Sequence, residues 1–155
     1  MRVTILAVGR LRAGPEREML DDFLTRFDRT GRSLGLGPAS VVEVEAKPGA
    51  GMAAEGALLQ ARVPKDGWLC CLDERGDLLT SPTFAGRLDR WKMERREAVF
   101  VIGGADGIDP SVTGRADLLL SLGPMVWPHM LVRVMLAEQL YRAATILAGT
   151  PYHRS

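Results

Sequence analysis

"DLLLSLGPMVWPHMLVRVMLAEQLYRAATILAG", residues 117–149, changes structural period partway along. Asp117 to Leu122 is a short apolar run of strand length, broken by Gly123 and Pro124. From Pro128 to Ala148 the residues are helix formers, with proline where the helix should start and Gly149 where it should stop. A strand handed to a helix across a short loop is one unit of an α/β fold. Whether the rest of the chain repeats that unit decides the fold class.

The chain does repeat it. "VTILAV" (Val3 to Val8) is a first strand, and after Gly14-Pro15 the residues Met19, Leu20, Phe23, Leu24 and Phe27 recur at helical spacing. "GRSLGLGP" is a loop, "SVVEVEA" alternates as a half-exposed second strand, and Met52 to Val63 is a helix ended before Pro64. "WLCCL" is a third strand, followed by the turn "DERGD". Ser81-Pro82 supplies an N-cap and a first-turn proline to a helix with Phe84, Leu88 and Trp91 on its apolar stripe. Its other faces carry Arg87, Arg90, Lys92, Arg95 and Arg96. "AVFVI" (Ala98 to Ile102) is a fourth strand, apolar throughout and therefore buried on both faces, and Asp117 to Leu122 is the fifth. The expected architecture is a single α/β domain over residues 1–155, a mostly parallel sheet flanked by helices.

Composition narrows the function classes. The 155 residues are 46% apolar, enough for one core, and the formal charge of +1 announces no acidic partner. Cys70 and Cys71 are the only cysteines and are adjacent on a strand, so their side chains point to opposite faces and do not suit a structural disulfide. With two histidines beside them, a four-ligand zinc site is disfavoured, and no metal is expected. No segment reads as a secretory signal or a bilayer span; the expected location is the cytoplasm.

In open parallel sheets ligands collect beyond the carboxyl ends of the strands. Three loops lie there: "LDERG", "GGADG" (Gly103 to Gly107) and "LGPMVW". Glycines at 103 and 104 let backbone N–H groups approach a ligand closely, although a tight turn alone explains them equally well. The first strand runs into "GRLRAG", which lacks both the dinucleotide fingerprint and the lysine of a phosphate loop. On the last helix Glu138, Gln139, Arg142 and Thr145 share one side. The apolar arc through Met130, Val134, Leu136, Ala137, Leu140, Tyr141, Ala144 and Leu147 covers close to half the circumference. So wide an arc is expected to meet a second copy as well as the chain's own sheet. His129 and Arg133, one turn apart, admit two readings: a core histidine with an arginine bridging to a carboxylate, or a polar pair lining a pocket at the helix N-terminus. The terminal "PYHR" is either a frayed end or a stacking ring, an imidazole and a guanidinium placed to serve a neighbouring site.

Together "VIGGADG", "LSLGPMVWPHMLVRVMLAEQLYRA" and "PYHR" resemble the RlmH-type 23S rRNA pseudouridine N3-methyltransferases, a branch of the SPOUT (trefoil-knotted) methyltransferases, and the likeness extends over essentially the whole chain. The resemblance implies a homodimer with a C-terminal knot that binds S-adenosylmethionine, needs no metal, and methylates 23S rRNA in the assembled 70S ribosome. It places cofactor contacts at Leu72, at Gly103 and Gly104, and at Leu122, Gly123, Pro124, Met125, Val126 and Trp127. In that frame His153 is the candidate general base or proton relay, and Tyr152 the residue stacking on or hydrogen-bonding to the target base. Arg154, Arg142 and Arg133 are candidate anchors for phosphate or carbonyl groups, and His129 lines the pocket. The competing expectations are a ribosome-associated knotted binding protein without transferase activity, and a SPOUT enzyme acting on tRNA ribose.

Overall fold

The computed structural model describes residues 1–154. Five strands form one wholly parallel sheet: β1 (Arg2–Val8), β2 (Ala39–Val44), β3 (Trp68–Leu78), β4 (Glu97–Ile102) and β5 (Leu118–Ser121). Their order is β2-β1-β4-β3-β5. Apolar side chains on both faces of β1 and β4 require both faces to be covered. The covering elements are α1 (Pro15–Gly31), α2 (Met52–Gln60), α3 (Ser81–Glu94), the single turn α4 (Pro110–Thr113) and α5 (His129–Ala148).

Alternation along the strands sorts two cores. Ile5, Cys70 and Phe100 meet Phe27 of α1, Leu88 of α3 and Leu140 of α5 on one face. Leu6, Cys71 and Val101 meet Leu59 of α2 and Val112 of α4 on the other. The adjacent cysteines thus point to opposite faces, as the strand pleat demands. Burial raises the Cys70 thiol well above its ordinary pKa, and burial followed by the charge of Asp73 pushes Cys71 up to about 12.

Four local expectations change. The cap of α3 is Thr80, whose hydroxyl accepts from the Thr83 N–H at 3.2 Å, with Ser81 inside the first turn. The α2 helix stops at Gln60. The one-turn α4, capped by Asp109, was not foreseen. "DERGD" is no simple turn, because β3 continues through it to Leu78 and its ladder with β5 resumes after a break: Leu72 and Asp77 both pair with Leu120. Between them the chain lies against β5 so closely that a Cβ on Gly76 would stand 2.6 Å from the Leu119 carbonyl.

The width of the α5 apolar arc also receives a different explanation. Within the single chain α5 packs against both α1 and α3, and Val134, Leu136, Ala137, Leu140 and Ala144 are buried there. A helix in the middle of a three-helix layer needs apolar residues on two flanks as well as beneath, so the arc does not by itself require a second copy.

Candidate active site

The glycine loop and the loop after β5 converge. A cavity of about 510 Å³ opens at the carboxyl ends of β3, β4 and β5, with His129 and Val132 of α5 on its wall. Leu72, Gly103, Gly104, Leu122, Gly123, Met125, Val126 and Trp127 all line it; Pro124 is not among the lining residues. Close backbone approach explains the glycine at 103: a Cβ there would lie 2.7 Å from the Gly107 carbonyl carbon and 2.8 Å from Ile108. Gly123 has φ +114, a conformation that side chains strongly disfavour. Its N–H donates to Ser121 Oγ at 3.1 Å, and the same oxygen lies 3.0 Å from the Glu74 carbonyl. Ser121 therefore joins the β3 and β5 loops that face each other across the cavity.

The lining carries the carboxylates Asp73, Glu74 and Asp106 against the guanidinium of Arg75. Hydrogen bonds from the Arg75 side chain and N–H hold Asp73 below the usual carboxylate range. A rim with this excess of anionic groups, around a glycine-lined cleft, suits a cationic ligand with a planar group. Behind the glycine loop, Glu55 of α2 places a buried carboxylate oxygen without a hydrogen-bond partner among the described residues. That oxygen lies 3.2 Å from where a Cβ on Gly104 would sit. Only its spacing within α2 stood in the sequence, and no pattern there pointed to it.

A second cavity, about 650 Å³, lies between α1, α3 and α5 and shares Leu120, Leu122 and Gly123 with the first. Glu138 and Arg142 line it, and these two residues hold the tail. Tyr152 donates to Glu138 Oε1 at 3.0 Å and packs on the Tyr141 ring with centroids 4.6 Å apart. Arg142 Nε donates to the same Glu138 oxygen at 3.0 Å, and Arg142 Nη1 lies 3.2 Å from His153 Nδ1. Gln139 extends the network to Ser81 of α3 at 2.7 Å. Glu138 is thus the hub, a residue read from the sequence only as part of a polar face. Burial, then the bond to Glu138, raises the Tyr152 pKa; the same carboxylate raises that of Arg142. The reading of "PYHR" as a frayed end fails at Tyr152 and His153, while Arg154 is exposed and Ser155 lies outside the described residues.

Of the pair on the first turns of α5, His129 is exposed on the cavity wall and Arg133 is not. Arg133 retains 2% exposure, meets Glu43 Oε2 at 2.7 Å and donates to the carbonyls of Val8 and Gly9. It is the arginine bridging to a carboxylate. With its guanidinium committed inside the fold it reaches neither cavity, and the expected anchoring role for Arg133 is withdrawn.

Comparison with known proteins fits this architecture. The family described as "Predicted SPOUT methyltransferase" matches residues 1–153. Among similar proteins, one from Ruegeria pomeroyi called Ribosomal RNA large subunit methyltransferase H is 68% identical over 155 residues, 99% of each chain. One of the same name from Paracoccus denitrificans is 59% identical over 154 residues, again 99% of each. A probable methylase family protein from Haemophilus influenzae, 10% identical, superposes with a TM-score of 0.51 over 99% of this chain and 70% of its own, which supports the fold alone. From the match along its length and the identity to these relatives, this chain belongs to the SPOUT methyltransferase family.

Proposed function

We propose that this protein is a homodimeric, cytoplasmic methyltransferase that moves the methyl group of S-adenosylmethionine to N3 of a pseudouridine in the large-subunit rRNA of the assembled ribosome. The observation that carries this reading is the convergence of the Gly103–Gly107 and Leu122–Trp127 loops on one cleft with an anionic rim. The relatives' shared name directs the substrate to large-subunit rRNA. Leu72, Gly103, Gly104 and the loop from Leu122 to Trp127 would hold the cofactor, which supplies a methyl already activated by positive charge. No metal is needed for such a donor.

The knot is part of the same proposal. Supporting it, Leu120 pairs with residues on both sides of the β3 excursion, and the Gly76 backbone lies directly against Leu119 and Leu120. Dimerisation is supported by apolar surface that the single chain leaves uncovered: Met125 and Val126 are 70% and 83% exposed, with Met130 beside them at the start of α5. An interface there would bring the tail network of one protomer toward the cleft of its partner.

Transfer to N3 requires loss of its proton and alignment of nitrogen, methyl and sulfur. An arginine only donates, so the Arg142–His153 contact is a hydrogen bond in the tautomer whose Nδ1 accepts and whose Nε2 carries the proton. His153 so arranged is a donor. We therefore replace the expected base with a different role: Nε2–H donates to a carbonyl oxygen of the target ring, stabilising the negative charge left as N3 loses its proton to solvent. Tyr152, whose proton is committed to Glu138, stacks or shapes the pocket edge, and Arg154 remains free for a phosphate.

Labelled-methyl transfer to 70S particles, isolated large-subunit RNA and tRNA tests the reading. Label confined to large-subunit RNA within 70S particles is expected. Label in tRNA ribose would favour the tRNA enzyme, and ribosome binding without label the inactive binding protein.

A further inference from the structure

An ion pair drawn out of water is weak support for stability, because desolvation offsets much of the attraction, and here Arg133 is buried and Glu43 half-buried. The Arg133–Glu43 pair therefore needs another reason to exist. Its connections supply one. Glu43 also accepts the Leu11 N–H, and Arg17 Nη1 donates to the Leu11 carbonyl at 3.0 Å. Leu11 itself is 8% exposed, packed into the core that α1 and α5 share. The loop following β1 is thus nailed down at Leu11 through its side chain, its N–H and its carbonyl, while its neighbours Arg10 and Arg12 are exposed. Among the described residues neither guanidinium forms an ion pair within the molecule.

This loop leaves the carboxyl end of β1, the same edge of the parallel sheet at which the proposed methyl-transfer cleft opens. Val8, at the end of β1, lies 3.2 Å from the Cβ position of Gly104 in the cleft wall. Arg133 sits one turn along α5 from the cavity-lining His129. Most charged side chains at surfaces cost conformational entropy to fix in place; here the backbone carrying two arginines has been fixed in advance, about 7 Å apart at most by chain geometry. We propose that Arg10 and Arg12 form a preorganised contact for the phosphate backbone of the RNA substrate, with Glu43 and Arg133 as positioning residues that hold the loop at the cleft.

The proposal rests on the rRNA methyltransferase reading, and the test separates the two. Binding of the full-length protein to 70S particles is measured against salt concentration for the wild type, the Arg10→Gln/Arg12→Gln double variant, and Glu43→Gln. Each lost phosphate contact flattens the slope of log K against log salt by roughly 0.7 to 0.9. The double variant is expected to bind more weakly with a slope shallower by about 1.5, and to keep wild-type affinity for S-adenosylmethionine and wild-type melting temperature. Glu43→Gln, with both arginines present, should move the slope the same way by a smaller amount. An unchanged slope in the double variant overturns the proposal. Weaker binding without a change of slope does so too, because it assigns the arginines to carboxylates on a ribosomal protein, which carry no condensed counterion atmosphere. Failure of the wild type to label large-subunit RNA would instead sink the underlying reading.

Discussion

At the scale of single residues, Gly103 and His153 give the sharpest tests. Gly103→Val forces a side chain into the Gly107 backbone, which has no flexible end to move aside. Relieving that overlap displaces the Gly107 backbone that lines the cleft, so calorimetry on the folded variant should show S-adenosylmethionine affinity lowered by at least roughly 10-fold, about 1.4 kcal/mol. For His153 the comparison of Gln with Ala is decisive. If the ring acts as a donor, Gln retains much of the methyl-transfer rate and Ala loses about 10²- to 10³-fold, the range for removing one oxyanion-stabilising donor; equal losses would restore the base. Glu43 bears on stability. Burial would raise its pKa, but the Leu11 N–H and Arg133 outweigh that and leave it lowered. A lowered folded value means stability that is fully present above the unfolded carboxylate pKa, about 4.3, and is lost as pH falls through the folded one. The melting-temperature gap between wild type and Glu43→Gln should therefore be level at neutral pH and close below about pH 4.

Among the elements, α5 carries most of what was legible and most of what was not. Its start at a proline, its stop at Gly149 and the strand before it follow from local chemistry that needs no tertiary context. So do the cleft-lining loops, since parallel strands deliver their following loops to one edge. What escaped the sequence were side-chain partners distant along the chain: Glu43 for Arg133, ninety residues apart, and Ser81 for Gln139, fifty-eight apart. Glu138 looked like ordinary solvated surface because its partner Tyr152 lies beyond the helix end. Burial inside the layer also decides what a charge on the arc would do. Leu140→Asp places a carboxylate at a fully buried position between α1, α3 and the sheet, so circular dichroism should report an unfolded or insoluble chain, where an interface position would have given folded monomers.

For the molecule as a whole, the proposed composite site makes a claim no single chain can satisfy. Assayed at S-adenosylmethionine concentrations far below the weakened Kd of the variant, a chain lacking Tyr152 to Ser155 and a chain carrying Gly103→Val should each show little activity as homodimers. Mixed, they should regain activity toward a quarter of the wild-type level, the share of all sites expected to combine an intact tail with an intact cleft when subunits assort at random. Sedimentation at micromolar concentration checks the premise, and a monomer there would remove it. The fold class was readable because alternating strand and helix periods leave few architectures, whereas a knot of the kind proposed has no period and leaves no mark in composition. The lie of Gly76 across β5 also bears on how the chain is made. Synthesis runs from the first residue to the last, and domains take shape in that order. Yet β5 lies against residues completed some forty positions earlier. If the proposed knot is formed there, the excursion after β3 must stay open, or be passed through, until Leu119, Leu120 and the helix behind them have arrived. A bulky fusion at the carboxyl terminus would then obstruct assembly far more than the same fusion at the amino terminus, before any effect on the tail itself.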